Sequence, residues 1–245
     1  VAGLLFTDDG NSNEINESDS GTLTENGISL TRYISLTSQP VESVTVYLET
    51  DDTSEGMLQN DSSDDSTSSV SFVFNSENWS TPQSFDILPV DDDLKDGLQT
   101  FNIYSRVTSE DPYYQEVYSG DNTYEVNKPD YLQFNNNDDD EASLVIKIDQ
   151  TSILEASNGF VDIRLSAEPS QDVLLTLTPS DEQFIINDLV TGRSDNVTFT
   201  SDNWDVFQTI NLKVVDDNFV EDITSSSLNI STSSEDSYFN DLSDS

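Results

Sequence analysis

The sequence contains the same motifs twice at a fixed spacing, and this repetition constrains the fold more than any other feature. The segment Phe74-Asn-Ser-Glu-Asn-Trp79 returns as Phe199-Thr-Ser-Asp-Asn-Trp204. In the same way, Val90-Asp-Asp-Asp93 returns as Val215-Asp-Asp-Asn218. Both pairs are 125 residues apart. A long unit that occurs twice predicts two domains with the same fold.

Within each copy, apolar and polar residues alternate in short runs. A period of two is typical of β-strands with one buried face, and no segment has the spacing of an amphipathic helix. The clearest runs are Val44/Val46/Leu48 and Val173/Leu175/Leu177. We therefore predict an all-β fold class, with two tandem Ig-like Greek-key β-sandwiches over residues 1–140 and 141–245.

Charge and missing residue types exclude many functions. The chain has 49 Asp and Glu against 8 Lys and Arg, a net charge of −41, and neither His nor Cys. This charge opposes binding to nucleic acid or to an anionic membrane surface, and no segment is apolar enough to insert into a membrane. Without His and Cys, thiol nucleophiles, Ser-His-Asp triads, disulfides and most zinc, copper or haem sites are excluded. Hard cations with oxygen ligands, such as Ca²⁺ or Mg²⁺, remain.

Acidic residues gather near strand ends, which a Greek-key sandwich brings to one pole. Clustered carboxylates repel one another, and a divalent cation relieves that repulsion. The candidate ligands in the first copy are Glu25, Asp52, Asp91, Asp92, Asp96, Asp138, Asp139 and Asp140. Those in the second copy are Glu155, Asp181, Asp216, Asp217 and Glu221. Irregular ligands from loops favour Ca²⁺ over Mg²⁺. The alternative is that these are ordinary solvated turn residues, but their recurrence in both copies favours the metal.

The arrangement of Glu155, Asp181, Phe199 and Val214-Val-Asp-Asp217 followed by Glu221 resembles the Calx-β domain. The resemblance covers essentially the whole chain, twice. It implies Ca²⁺ at one pole of each sandwich, and tandem arrays of the kind found in large bacterial surface proteins. The resemblance implies a Glu at position 96, but the first copy has Asp96 there, and the side chain of Asp is the shorter ligand.

These observations predict a calcium-binding structural or adhesive segment of a large extracellular repeat protein at the cell surface. Ca²⁺ would rigidify the tandem sandwiches, and the partners would be calcium ions and adjacent repeats or neighbouring copies. Two alternatives stay open: the protomer of a polymerised extracellular filament, and a glycan-binding module with structural calcium. We do not expect an enzyme, because two small sandwiches offer no cleft in which a carboxylate pair could flank a substrate.

The two copies differ at their ends. In the first copy, Tyr131-Leu-Gln-Phe134 reads as a closing strand, and Asp138-Asp-Asp140 completes the acidic pole. The second copy reaches Ser245 before either feature. We therefore expect the second sandwich to lack its last strand and to expose an unpaired edge.

Overall fold

The fold is taken from a computed structural model, which describes residues 2–11, 13–15, 21–60, 65–115, 131–190, 192–216 and 224–244. These residues are almost entirely in strands, turns and loops, so the predicted all-β fold class is confirmed. The only helix in this part of the chain, α1 (Pro112–Gln115), is a single turn, far short of a membrane span. The chain divides into two compact units, Val1–Asp92 with Gly97–Asp139 and Asp93–Asp96 with Asp140–Ser245.

The first unit is built from nine strands among its described residues. In chain order they are β1 (Leu4–Thr7), β2 (Thr22–Thr24), β3 (Leu30–Leu36), β4 (Val44–Thr50), β5 (Gly56–Asn60), β6 (Ser69–Phe74), β7 (Gln83–Pro89), β8 (Leu98–Ser109) and β9 (Tyr131–Asn137). One sheet has the order β1-β3-β7-β5, and the other has the order β2-β9-β8-β4-β6. From β3 to β8, each connection passes from one sheet to the other, as in a Greek-key sandwich.

The alternating apolar side chains of both sheets form one core. Val44, Val46 and Leu48 of β4 all point inward and are buried, as the sequence pattern predicts. Phe72 and Phe85 meet across the sheets with ring centroids 6.1 Å apart. Since both sheets contribute to a single buried cluster, the unit is a β-sandwich.

The second unit repeats this strand order. Its strands are β10 (Leu144–Ile148), β11 (Asn158–Leu165), β12 (Val173–Pro179), β13 (Phe184–Ile186), β14 (Asp195–Phe199), β15 (Gln208–Val214), β16 (Leu228–Ser234) and β17 (Ser243–Asp244). The sheets are β10-β11-β15-β13 and β14-β12-β16-β17. Each position matches one in the first unit, except that the described residues include no counterpart of β2 and only a two-residue counterpart of β9.

A buried aspartate is used in the same way in both units, after β8 in the first unit and after its counterpart β16 in the second. Asp111 accepts hydrogen bonds from the backbone N–H groups of Val41 (2.7 Å) and Tyr113 (2.9 Å). Asp236 accepts them from Ser170 (2.8 Å) and Tyr238 (2.9 Å). We call Asp111 and Asp236 the aspartate braces, because each joins two separate loops of its unit.

Candidate metal centre

The parallel pairing of β2 with β9 places two acidic segments side by side. Thr24 is opposite Asn137, and the N–H of Glu25 donates to the carbonyl of Asn137 at 3.1 Å. Parallel strands end at the same pole, so Glu25, in the turn after β2, lies beside Asp138 and Asp139, which follow β9. This small strand is therefore what brings distant carboxylates together.

A third segment, the end of β7, is attached to the same region by Asn136. This residue is completely buried, and its side-chain Nδ2 donates to the carbonyls of Val90 (2.9 Å) and Glu55 (3.1 Å). The N–H of Val90 in turn donates to the carbonyl of Glu55 at 3.1 Å. These bonds fix the position of Val90, and Asp91 follows it directly.

Glu25, Asp91 and Asp139 together form what we call the first-unit acidic cluster. One carboxylate oxygen of each lies within 4.8 Å of the others. Two oxygens on opposite sides of a Ca²⁺ ion are about 4.8 Å apart when each ligand distance is about 2.4 Å, so one ion could contact all three. Glu25 is only 4% exposed, whereas Asp91 and Asp139 face solvent.

The neighbouring residues of the triplet have structural partners. Asp138 is buried, and its Oδ2 accepts a hydrogen bond of 2.6 Å from the N–H of Gly97. Gly97 has a φ of 84°, which glycine adopts without strain. Asp139 accepts a hydrogen bond from the side-chain Nδ2 of Asn26, which holds one of its oxygens toward the turn that carries Glu25.

The other first-copy candidates take different positions. Asp52 stabilises its own turn, since its Oδ1 accepts hydrogen bonds from the N–H (3.0 Å) and the hydroxyl (2.5 Å) of Ser54. Asp92 follows Asp91 and is exposed, and one of its carboxylate oxygens lies within 4.8 Å of an oxygen of Glu25. Asp96 and Asp140 belong to the second compact unit. A metal-binding role for these residues stays a prediction.

In the second unit, the described carboxylates are not gathered into a comparable cluster. Glu155 is exposed in a turn before β11, and Asp216 is exposed after β15. Asp181 accepts a hydrogen bond of 2.9 Å from the N–H of Gln183. That bond is the main reason why the pKa of Asp181 is lowered; burial opposes it, and bonds from Ser226 and Ser180 reinforce it. Asp217 and Glu221 lie outside the described residues.

Sequence reasoning did not find Asn136 and Glu55, which support the cluster. Both are buried, and the backbone carbonyl of Glu55 accepts from both Asn136 and Val90. A signal was present, because Asn136 follows Leu132 and Phe134 at the inward positions of β9. A polar side chain at a core position needs hydrogen-bond partners, and these partners fix the loop that carries Asp91.

No protein-family model and no curated protein matches the sequence. Among solved structures, the chain is similar to CBD12 from CALX1.2 (14% identity) and to the calcium binding domain CBD12 of CALX1.1 (15% identity). Both matches cover 87% of this chain and 76% of the other, with a TM-score of 0.33. The Yersinia pseudotuberculosis adhesin InvE is similar at 12% identity over 99% of this chain and 57% of its own, with a TM-score of 0.30. At this level of similarity, the matches assign neither a family nor a ligand to this chain.

Proposed function

We propose that the chain is a calcium-binding structural or adhesive segment of a large extracellular repeat protein. The observation that carries this proposal is the first-unit acidic cluster, in which Glu25, Asp91 and Asp139 come within 4.8 Å of one another. Their carboxylates follow three different strands, so a bound ion connects three parts of the sandwich. The like charges repel one another when no cation is present.

Calcium fits this cluster better than magnesium does. Ca²⁺ accepts six to eight oxygen ligands in irregular geometry, whereas Mg²⁺ requires a tight octahedron and keeps most of its water. The cluster combines one buried carboxylate with two exposed ones on loops, which leaves room for water and further oxygens. Such a partly open site suits the weak affinity of extracellular calcium modules, which have dissociation constants of about 10⁻⁴ to 10⁻³ M.

The mechanical consequence concerns the Asp138–Asp140 triplet. Asp138 is attached to Gly97, and Asp139 to Asn26, before the chain enters the second unit. An ion held by Asp139, Glu25 and Asp91 restrains this stretch further and removes the repulsion among its carboxylates. We propose that calcium thereby rigidifies the connection between successive repeats, which suits a segment that spans distance at a cell surface.

Thermal unfolding in calcium tests the site. The chain has two Trp residues, Trp79 and Trp204, one in each unit. A Trp204→Phe background therefore reports the first unit by fluorescence. We expect Ca²⁺ added after EDTA to raise its melting temperature, with a stabilisation of about 2.7 kcal/mol at 100 times Kd. Asp91→Asn and Glu25→Gln should each remove most of the rise.

Two controls separate a specific site from simple charge screening. Mg²⁺ at matched ionic strength should give a smaller rise, because screening depends on ionic strength and coordination does not. Glu77→Gln removes an exposed carboxylate that belongs to no cluster, and it should leave the calcium effect intact. Equal shifts in Ca²⁺ and Mg²⁺, or an undiminished calcium effect in Asp91→Asn, would refute the metal site.

A further inference from the structure

The chain contains two Asn-Gly dipeptides, Asn26-Gly27 and Asn158-Gly159. In such a dipeptide the backbone nitrogen of Gly can attack the side-chain amide of Asn, because Gly has no side chain to hinder the approach. The attack requires the backbone between the two residues to rotate until the nitrogen reaches Cγ of Asn. The sequence alone gives both dipeptides the same reactivity, and their structural settings separate them.

Asn26 and Gly27 lie in the exposed turn that follows β2. The N–H of Gly27 donates to the carbonyl of Thr24 at 2.7 Å, and the side-chain Nδ2 of Asn26 donates to Asp139. Hydrogen bonds of an exposed turn open with little free energy, whereas those of a core strand open only with much of the fold. The nitrogen of Gly27 therefore becomes available to Asn26 while the sandwich stays folded.

The turn itself requires glycine at position 27. A Cβ atom added there would lie 2.7 Å from the carbonyl oxygen of Thr24, which is closer than a Cβ atom packs against backbone. An unhindered nitrogen therefore follows Asn26 for a structural reason. The reactive dipeptide is part of the same turn that carries Glu25.

The second dipeptide is held inside a sheet. Asn158 and Gly159 open β11, which pairs with β15, and Gly159 is buried. The N–H of Val214 donates to the carbonyl of Ser157 at 3.0 Å. By the alternation of antiparallel pairing, Gly159 also belongs to a hydrogen-bonded pair, in which its N–H donates to Leu212. Reaction at Asn158 therefore requires β11 to separate from β15.

We propose that Asn26 is a site of spontaneous deamidation to aspartate or isoaspartate, and that Asn158 is protected. The backbone nitrogen of Gly27 bonds to Cγ of Asn26, the bond between Cγ and Nδ2 breaks, and the amide nitrogen leaves as ammonia with the proton of Gly27. Water then opens the resulting five-membered imide at either of its carbonyls. The net change consumes one water, releases one ammonia and needs no oxidant or reductant.

The product carries a negative charge beside the first-unit acidic cluster. Asn26 loses the Nδ2 group that donates to Asp139, and a carboxylate takes its place. Isoaspartate also adds one carbon atom to the backbone of the turn that carries Glu25. Since like charges repel, the modification weakens the attachment of this turn to the segment after β9. This inference does not depend on calcium binding.

Peptide mass spectrometry of the unmodified full chain tests the reaction. The chain is incubated in a mildly alkaline buffer with EDTA and then digested at acidic pH, where the reaction stops. Synthetic peptides of residues 22–30 and 154–162 give the rate of each dipeptide without the fold. Relative to its own peptide, we expect Asn26 to react at least about ten-fold faster than Asn158, which corresponds to about 1.4 kcal/mol in opening free energy. Equal protection of both residues, or greater protection of Asn26, would overturn the proposal.

The variant Asn26→Asp measures the consequence separately from the reaction. In the Trp204→Phe background, with EDTA and low salt, we expect it to lower the melting temperature of the first unit by several degrees. Gln133→Glu is the matched control, because it also replaces an amide by a carboxylate, at an exposed position of β9 that belongs to no cluster. It should lower the melting temperature less. An equal decrease in both variants would contradict the repulsion from Asp139, because total charge alone would then explain the effect.

Discussion

At the scale of single residues, Gly56 is required by a close approach rather than by its backbone angles. It opens β5, and a Cβ atom added there would lie 2.3 Å from Cε2 of Phe101. We predict that Gly56→Ala destabilises the first unit by about 1–3 kcal/mol, the usual cost of overpacking a core. Urea unfolding followed by Trp79 fluorescence in a Trp204→Phe background measures this change.

The matched control for this prediction is a second substitution at the contact. Phe101→Leu removes the ring that the new methyl group meets, so Gly56→Ala should cost less in that background than in the presence of Phe101. If the two substitutions are simply additive, the contact with Phe101 is not the reason why glycine is needed.

The sequence predicted which carboxylates could meet but not how they are held. Glu25, Asp91 and Asp139 all belong to the predicted ligand set, and the structure brings them together. The burial of Glu25 could not be predicted, because it depends on pairing between segments that are far apart in sequence. Asp52 shows a second limit of sequence reasoning. An Asp in a turn has the same sequence signature whether it binds a metal or accepts a hydrogen bond from the backbone of its own turn, as Asp52 does from Ser54.

At the scale of elements, each aspartate brace joins two loops through hydrogen bonds from backbone N–H groups to its carboxylate, and no metal takes part in these bonds. Asp111 and Asp236 each accept two backbone hydrogen bonds while buried. We predict that Asp111→Ala destabilises the first unit, and Asp236→Ala the second, by about 3–5 kcal/mol, since a hydrogen bond to a charged group contributes about 1.5–3 kcal/mol. Denaturant unfolding in the two single-Trp backgrounds assigns each loss to its unit.

Calcium provides the control for the braces. The loss should be the same in EDTA and in millimolar Ca²⁺, because the brace carboxylates are already satisfied by backbone N–H groups. A loss that appears only when calcium is present would mean that the brace acts through the metal instead.

Strand prediction succeeded where alternation was long and failed where pairing alone defines the strand. β4 and β12 each have three alternate apolar residues, and both were predicted from that pattern. β2 and β13 have three residues each, too few for a period to be recognised. Ile28 and Leu30 alternate in the way that predicts a strand, but this prediction is wrong for Ile28, because β3 begins at Leu30 and Ile28 is 90% exposed.

At the scale of the whole molecule, the net charge of −41 opposes compaction. We predict that the melting temperature in EDTA rises by several degrees between about 10 mM and 1 M NaCl, as the Debye length falls from about 30 to 3 Å. Calorimetry or fluorescence measures the change. NaCl and KCl should act equally, because screening does not distinguish the two cations. A melting temperature that is independent of salt would mean that repulsion contributes little.

The pairing of β2 with β9 also has a consequence for biosynthesis. Asn26 and Asp139, which meet at the acidic cluster, are 113 residues apart in sequence. At synthesis rates of about 5–20 residues per second, the second of them leaves the ribosome roughly 6–23 s after the first. Until then β2 has no strand to pair with, and Glu25 stays in water. The acidic pole is therefore among the last parts of the first sandwich to assemble on a nascent chain.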